Sequence, residues 1–355
     1  MRIKSLFALP LLALLPASGG AQPQNMIAPL FVADPGTRAV LLIEDGRVIA
    51  KRYAPGFSDA NRFISWSMAK TVTAMLVGEL VADGKLALDA PAPVPEWHRP
   101  GDPRGAITLR MLLQMRSGLR HTEIGDPIER SDTNQVLFVG GTGDMAAKAI
   151  AQPLEAAPGT KFEYSSLTTI ILAKIIADTL TDSTDPRVRA TTYRDFATER
   201  LFQPAGVTSA FLEFDGAGTQ IGGSLIYMTL DDWGRMGRLL LDGTGADGAQ
   251  VIAPDWLAFM KAPSPRDPEY GGQTWLNRAG GSDPDGPTLF PDAAPDTVVS
   301  MIGHLGQFVI AGTGADPHDP GTHHAIILVR LGKTQDSALA PTRQALGRVV
   351  GSLIQ

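Results

Sequence analysis

Apolar β-type runs stand near both ends of this 355-residue chain, and the long helix-type runs stand between them. Near the start, Arg38-Ala-Val-Leu-Leu-Ile-Glu44 and Arg47-Val-Ile-Ala-Lys-Arg-Tyr53 flank Asp45-Gly46, a pair suited to a tight hairpin turn. Near the end, Val298 to Ala311 and His324 to Arg330 alternate or run apolar, and a helix is expected from Asp336 to Leu353. Strands from both ends are most simply joined in one antiparallel sheet, with the middle as an insertion. The expected fold class is α+β. Residues 22–85 and 290–355 form an antiparallel sheet flanked by helices, and residues 86–289 form a mainly helical inserted domain. Residues 22–36, rich in Pro, Gln and Ala, read as an extended lead-in. Helices are expected over Ser67 to Asp83, Thr108 to Arg116, Thr168 to Leu180, Tyr193 to Leu201 and Asp231 to Leu241.

The first residues carry an address. Arg2 and Lys4 precede the apolar run Leu6 to Leu15, and Gly19-Gly20-Ala21 follows. That is the layout of a secretory signal peptide, residues 1–21, cleaved after Ala21. The apolar run is too short to cross a bilayer, so no membrane anchor is expected. The chain has no cysteine, which excludes disulfides and a lipidated N-terminal cysteine. Its net charge of −6 argues against nucleic acid and anionic membrane as partners. A periplasmic or secreted protein is expected, of unspecified oligomeric state.

Three clusters can carry chemistry. The first is Ser67-Met-Ala-Lys70, at the mouth of the apolar run Thr71 to Val81. Residues three apart on a helix share a face, so the amine can reach the hydroxyl. A serine needs a nearby base to become a nucleophile, and a lysine with a depressed pKa can be that base. Taken alone, the pair also fits a helix-capping serine and a solvent-facing lysine. The second cluster is Tyr164-Ser165-Ser166, ahead of the next apolar helix. A phenol held near an ammonium group can ionise below its free value near 10 and pass protons. The third is Gly303-His304-Leu305-Gly306-Gln307, read as glycines inside a strand that lets a ligand approach. An edge strand beside the serine can offer a backbone N–H to a developing oxyanion.

The order and context of the three clusters resemble the serine β-lactamase and penicillin-binding-protein superfamily. The similarity is to the branch holding class C β-lactamases, family VIII esterases and 6-aminohexanoate-dimer hydrolases. That pattern is Ser-x-x-Lys at a helix start, Tyr-x-Asn or Tyr-x-Ser before a helix, and Lys-Thr-Gly or His-x-Gly on a late strand. Here Ser67-Met-Ala-Lys70, Tyr164-Ser-Ser166 and His304-Leu-Gly306 stand in that order. Leu112 to Leu119, Gly222 to Asp232 and Tyr270-Gly-Gly-Gln-Thr-Trp275 are further echoes. The resemblance runs from about residue 38 to the end. It implies a β-lactamase/transpeptidase-like fold and an acyl-enzyme on Ser67. Lys70 and Tyr164 would divide the roles of base and acid, and the resemblance leaves that division open. It also places the oxyanion on the N–H groups of Ser67 and Gln307, with Ser166, His304 and Gly306 lining the substrate site.

His304 stands where the lactamases carry the lysine that faces the β-lactam carboxylate, and a neutral histidine is a poor substitute. The expected function is therefore an exported serine hydrolase of small amides or esters, like the aminohexanoate-oligomer hydrolases and their esterase relatives. A β-lactamase or DD-peptidase activity is one alternative, and a non-catalytic peptide- or peptidoglycan-binding relative is another. No cofactor is called for. No Gly-x-Ser-x-Gly or His-Glu-x-x-His is present, and Gly332-Lys333-Thr334 lacks the earlier glycine of a phosphate loop. His323 and His324 point to opposite faces of a strand, so no metal site is expected there or with His318. His121 reads as an ordinary loop residue with some chance of lining the cleft.

Overall fold

The computed structural model describes residues 23–281 and 287–355. The leader expected over residues 1–21 lies outside the described residues, as do residues 282–286 of the loop before the last strands. The chain starts with α1 (Pro23–Ala33), β1 (Thr37–Glu44) and β2 (Arg47–Tyr53), and β3 (Phe63–Ile64) then leads through a 3₁₀ turn at Trp66–Met68 into α2 (Ala69–Ala82). The middle carries α3 (Leu109–Leu113), the one-turn α4 (Asp132–Asn134), α5 (Met145–Ile150), α6 (Ser166–Leu180) and α7 (Pro186–Ala197). Short strands β4 (Phe211–Leu212) and β5 (Ile226–Met228) precede α8 (Leu230–Asp242), α9 (Pro254–Lys261) and β6 (Trp275–Leu276). The chain closes with β7 (Val298–Gly303), β8 (Gln307–Ala315), β9 (His323–Gly332) and α10 (Asp336–Gly351).

Six strands form one antiparallel sheet in the order β2-β1-β9-β8-β7-β6. The two ends of the chain meet at its centre, where β1 pairs with β9 and Val40 lies opposite Arg330. Period-2 alternation assigns β1 to two cores: Ala39 and Leu41 face one, Val40 and Leu42 the other. The first core holds α8 and the central helices, including Met75, Leu172 and Trp233. The second lies under α1 and α10, around Ile27, Phe308 and Leu346. Helices α2 and α6 are apolar on nearly every side, as helices sunk in a core must be, and they pack on each other. Truncating Leu172 to alanine there would cost about 2–5 kcal/mol.

Several expectations need correcting. Residues 23–33 are helical, not extended: Ile27 and Leu30 bury one face against the sheet. That docking outweighs the backbone hydrogen bond that Pro29 cannot donate. The stretch Val298 to Ala311 is two strands, because the chain reverses at residues 304–306 with Leu305 at φ 58° and Gly306 at φ 76°. The helix after Thr108 covers only Leu109–Leu113; Thr108 caps it, accepting from the Met111 N–H at 3.2 Å, and Met115 soon turns out of it at φ 53°. The helix expected from Tyr193 begins earlier, at Pro186, behind the capping carboxylate of Asp185. β6 and α8 lie within 86–289, yet β6 is an edge of the large sheet and α8 covers its face.

Candidate active site

The turn before α2 is pinned at its start. Ser65 donates its N–H to the Ile226 carbonyl (2.7 Å) and its hydroxyl to the Ser224 carbonyl (2.9 Å). Trp66 takes a left-handed φ of 43°, a conformation a bulky side chain adopts only when its surroundings impose it. Ser67 follows, half-buried, and Lys70 comes one turn later, fully buried. The capping-serine, solvent-facing-lysine alternative is therefore excluded. Nζ of Lys70 has three oxygens around it: Oγ of Ser67 at 3.0 Å, Oγ of Ser166 at 2.8 Å and the Gly223 carbonyl at 2.9 Å. Gly223 can approach because it has no side chain; a Cβ there would lie 2.6 Å from the Ser166 carbonyl oxygen.

Tyr164 completes the group. Its ring faces Lys70, with Nζ 4.8 Å from the centroid, and its hydroxyl shares a hydrogen bond with that of Ser67. The aromatic patch 270–275 holds it: ring centroids lie 5.7 Å away at Tyr270 and 5.3 Å away at Trp275. Within that patch, Gln273 ties three helices together. Its carbonyl accepts from Thr71 of α2 (2.6 Å), its side-chain oxygen accepts from Thr169 of α6 (2.7 Å), and its amide donates to the Leu113 carbonyl of α3 (2.9 Å).

The electrostatics separate the two proton carriers. Burial pushes the Lys70 amine down to about 8, opposed by the charge of Glu123. Burial, reinforced by Glu123, pushes the Tyr164 phenol well above its ordinary value. The expectation of a phenol ionising below 10 is thus overturned: the lysine, not the tyrosine, is the group moved towards neutral pH.

The third cluster is a hairpin tip. β7 ends at Gly303, and a methyl group there would overlap the Ser65 carbonyl oxygen, so the strand lies directly against the Ser67 turn. β6 pairs only with Val299 and Ser300, leaving the end of β7 uncovered on that side. His304 is exposed at the tip, its ring edge-on to Trp66 at 5.5 Å, and Trp66 in turn meets Phe138 at 6.4 Å. Gly306 is buried behind the tip. Gln307 is buried on β8, one strand further in. Its side chain donates to the Gly332 carbonyl (2.7 Å) and accepts from the Gly332 N–H (3.1 Å), bracing the hairpin against β9.

Sequence reasoning passed over Glu123, which stands among these groups. Its carboxylate accepts the N–H and the hydroxyl of Ser166, each at 2.6 Å, and the hydroxyl of Thr133 at 2.7 Å. An acidic residue in a polar loop has no periodicity to mark it. His121, two residues earlier, is buried with Nε2 3.1 Å from the Ala149 carbonyl, and burial lowers its pKa, so it is a neutral packing residue. His324 directs Nδ1 to Asp45 at 2.8 Å on the far end of the sheet.

The β-lactamase family model matches residues 34–347. This chain belongs to the β-lactamase family. Among curated relatives of this β-lactamase-family chain, the 6-aminohexanoate-dimer hydrolase of Paenarthrobacter ureafaciens is 25% identical over 240 residues, covering 65% of this chain and 58% of that protein. The chain thus matches less than two thirds of that relative's length. A Bacillus anthracis protein that carries the 6-aminohexanoate-dimer hydrolase name superposes with a TM-score of 0.68 at 18% identity, covering 92% of this chain and 82% of its own. EstA of Arthrobacter nitroguajacolicus Rue61a superposes with a TM-score of 0.61 at 16% identity, covering 93% and 96%. These two likenesses establish the fold of the β-lactamase family, an α+β architecture in which the sheet carries strands from both chain ends. Among the described residues, no helix is long and apolar enough to cross a membrane.

Proposed function

We propose that the protein is an exported serine hydrolase that cleaves small amides or esters through an acyl-enzyme on Ser67. One observation carries the reading: a fully buried lysine, its pKa pushed down to about 8, lies 3.0 Å from a serine hydroxyl at the start of a core helix. In the proposed route, Ser67 Oγ attacks the carbonyl carbon as Lys70 takes its proton. The negative oxygen rests on the Ser67 N–H and on a main-chain N–H of the β7–β8 hairpin, where the resemblance puts Gln307. Tyr164, kept protonated, gives a proton to the departing amine or alcohol and regains one from Lys70. Water then attacks the ester carbon, with the same groups working in reverse to free Ser67 and the acid product.

The substrate reading favours substrates with no carboxylate close to the scissile bond. His304, Trp66 and Phe138 form an aromatic edge next to the Ser67 turn, and the motif resemblance sets His304 against the carboxylate-facing lysine of β-lactamases. The curated relative named for aminohexanoate-dimer hydrolysis supports a linear amide. Export rests on Arg2, Lys4 and the apolar run Leu6 to Leu15, and is tested by sequencing the mature N-terminus, expected to begin after Ala21.

The catalytic proposal is tested with a fluorophosphonate probe and mass spectrometry, followed by assays on p-nitrophenyl esters, aminohexanoate dimer and nitrocefin. The expected result is a single adduct on Ser67, absent in Ser67→Ala, with ester or linear amide turnover exceeding nitrocefin turnover. No Ser67 adduct would make the protein a binding relative, and nitrocefin as best substrate would make it a β-lactamase.

A further inference from the structure

We propose that Glu123 is a positioning residue for Lys70: by holding the single hydroxyl proton of Ser166, it turns the lysine's lone pair onto Ser67. The proposal rests on the reading of Ser67 as nucleophile and Lys70 as its base.

The argument is a count of donors and acceptors. A carboxylate only accepts hydrogen bonds. Oε1 of Glu123 lies 2.6 Å from Ser166 Oγ, so the serine's proton lies on that line. Oε2 accepts from the Ser166 N–H at 2.6 Å and from Thr133 at 2.7 Å, which fixes the carboxylate plane. With its proton committed, Ser166 can only accept from Lys70, 2.8 Å away. The Gly223 carbonyl, 2.9 Å from Nζ, likewise only accepts. A neutral amine has two N–H groups and one lone pair. The two N–H groups are claimed by Ser166 and Gly223, so the lone pair faces the remaining neighbour, Ser67 Oγ at 3.0 Å. That is the orientation that removes the serine proton. Were the Ser166 proton free, it could instead occupy the lone pair, and Lys70 would donate to Ser67.

The titratable groups around Lys70 are few. Glu123 acts on it through Ser166, and Tyr164 presents its ring face. Behind them, Tyr270 and His121 stand within electrostatic reach of Glu123. Glu123 is the anion opposing the effect of burial on the lysine. Replacing it by glutamine removes the negative charge and puts an amide donor within reach of Ser166 Oγ.

The test follows the rate of Ser67 labelling by a fluorophosphonate against pH in wild type, Glu123→Gln, Ser166→Ala, the double variant and Ser67→Ala. The expected result is a fall of about 10- to 100-fold in Glu123→Gln, with the midpoint of the pH rise moved to lower pH. Glu123→Gln should add little further loss in the Ser166→Ala background, because both act through one hydroxyl. A Glu123→Gln profile that overlays wild type, or losses that add in the double variant with an unmoved midpoint, would overturn the proposal. Should Glu123→Gln disturb its loop, Ser166→Ala alone must slow labelling, and a wild-type rate there overturns the proposal equally. Labelling that persists in Ser67→Ala would instead sink the underlying reading of the nucleophile.

Discussion

Lys70 holds its amine over the face of the Tyr164 ring, 4.8 Å from Nζ to the centroid. A cation there interacts with the ring quadrupole and leaves the hydroxyl bond to Ser67 in place. With the amine pushed down to about 8 and the phenol pushed up, the amine is the group that gives up its proton first as pH rises. This arrangement supports the proposed division of roles, Lys70 as base and Tyr164 as acid, which the motifs alone left open.

The first prediction concerns pH. A lysine base works when neutral, and its neutral fraction grows as pH rises through about 8. Pre-steady-state acylation of Ser67 is therefore expected to rise with pH to a plateau, with its midpoint near 8. Lys70→Arg, which cannot deprotonate, should lose about 10²–10⁴-fold at every pH. A flat profile in wild type would remove Lys70 from the role of base.

Tyr164→Phe should separate substrates by their leaving groups. An amine must be protonated as it departs, whereas p-nitrophenolate leaves unaided. Steady-state turnover of a linear amide is expected to fall about 10²–10⁴-fold in the variant. Turnover of a p-nitrophenyl ester should fall far less. Equal losses on both would assign Tyr164 to the attack step.

The contact between Gly303 and the Ser65 carbonyl gives a third prediction. Gly303→Ala must push β7 away from the Ser67 turn, since the obstructing atom is main chain. We expect acylation to fall by more than about 10²-fold and stability by about 1–3 kcal/mol. Gly140→Ala, where nothing lies within 4 Å of the added carbon, serves as the control and should leave both unchanged.

A buried ion pair supports the same hairpin. Arg330 of β9 donates to Asp34, at the end of α1, at 2.5 Å, and to the Gly306 carbonyl at 2.6 Å and Thr334 at 2.7 Å. Removing either charge leaves the other unpaired inside the protein. Arg330→Leu or Asp34→Asn is expected to lower the unfolding free energy in urea by about 3–5 kcal/mol.

The residues legible in the sequence were those whose chemistry and local context coincide. Ser67 and Lys70 open an apolar helix, Tyr164 precedes another, and the Asp45-Gly46 turn joins two apolar strands. The three clusters meet because α2 and α6 pack on each other and β7 abuts the turn before α2. What escaped depends on tertiary surroundings. α1 was hidden by Pro29, because local propensity opposes a helix that docking imposes. The reversal after Gly303 was hidden because Leu305, not a glycine, takes the first left-handed position. Glu123 and Trp275 acquire their roles only from neighbours more than 40 residues away in the chain at Ser166 and more than 100 away at Tyr164.

The close contact at Gly303 sets the strand next to Ser67 apart from the loop that carries Glu123. At Gly303 the sheet side has no slack: an added methyl group displaces the Ser67 turn itself. The loop over residues 120–145 carries Glu123 at its root and exposed Ile124, Phe138 and Val139. Substitutions in that loop beyond Glu123 therefore meet less resistance than any at Gly303, where the strand is fixed against the Ser67 turn.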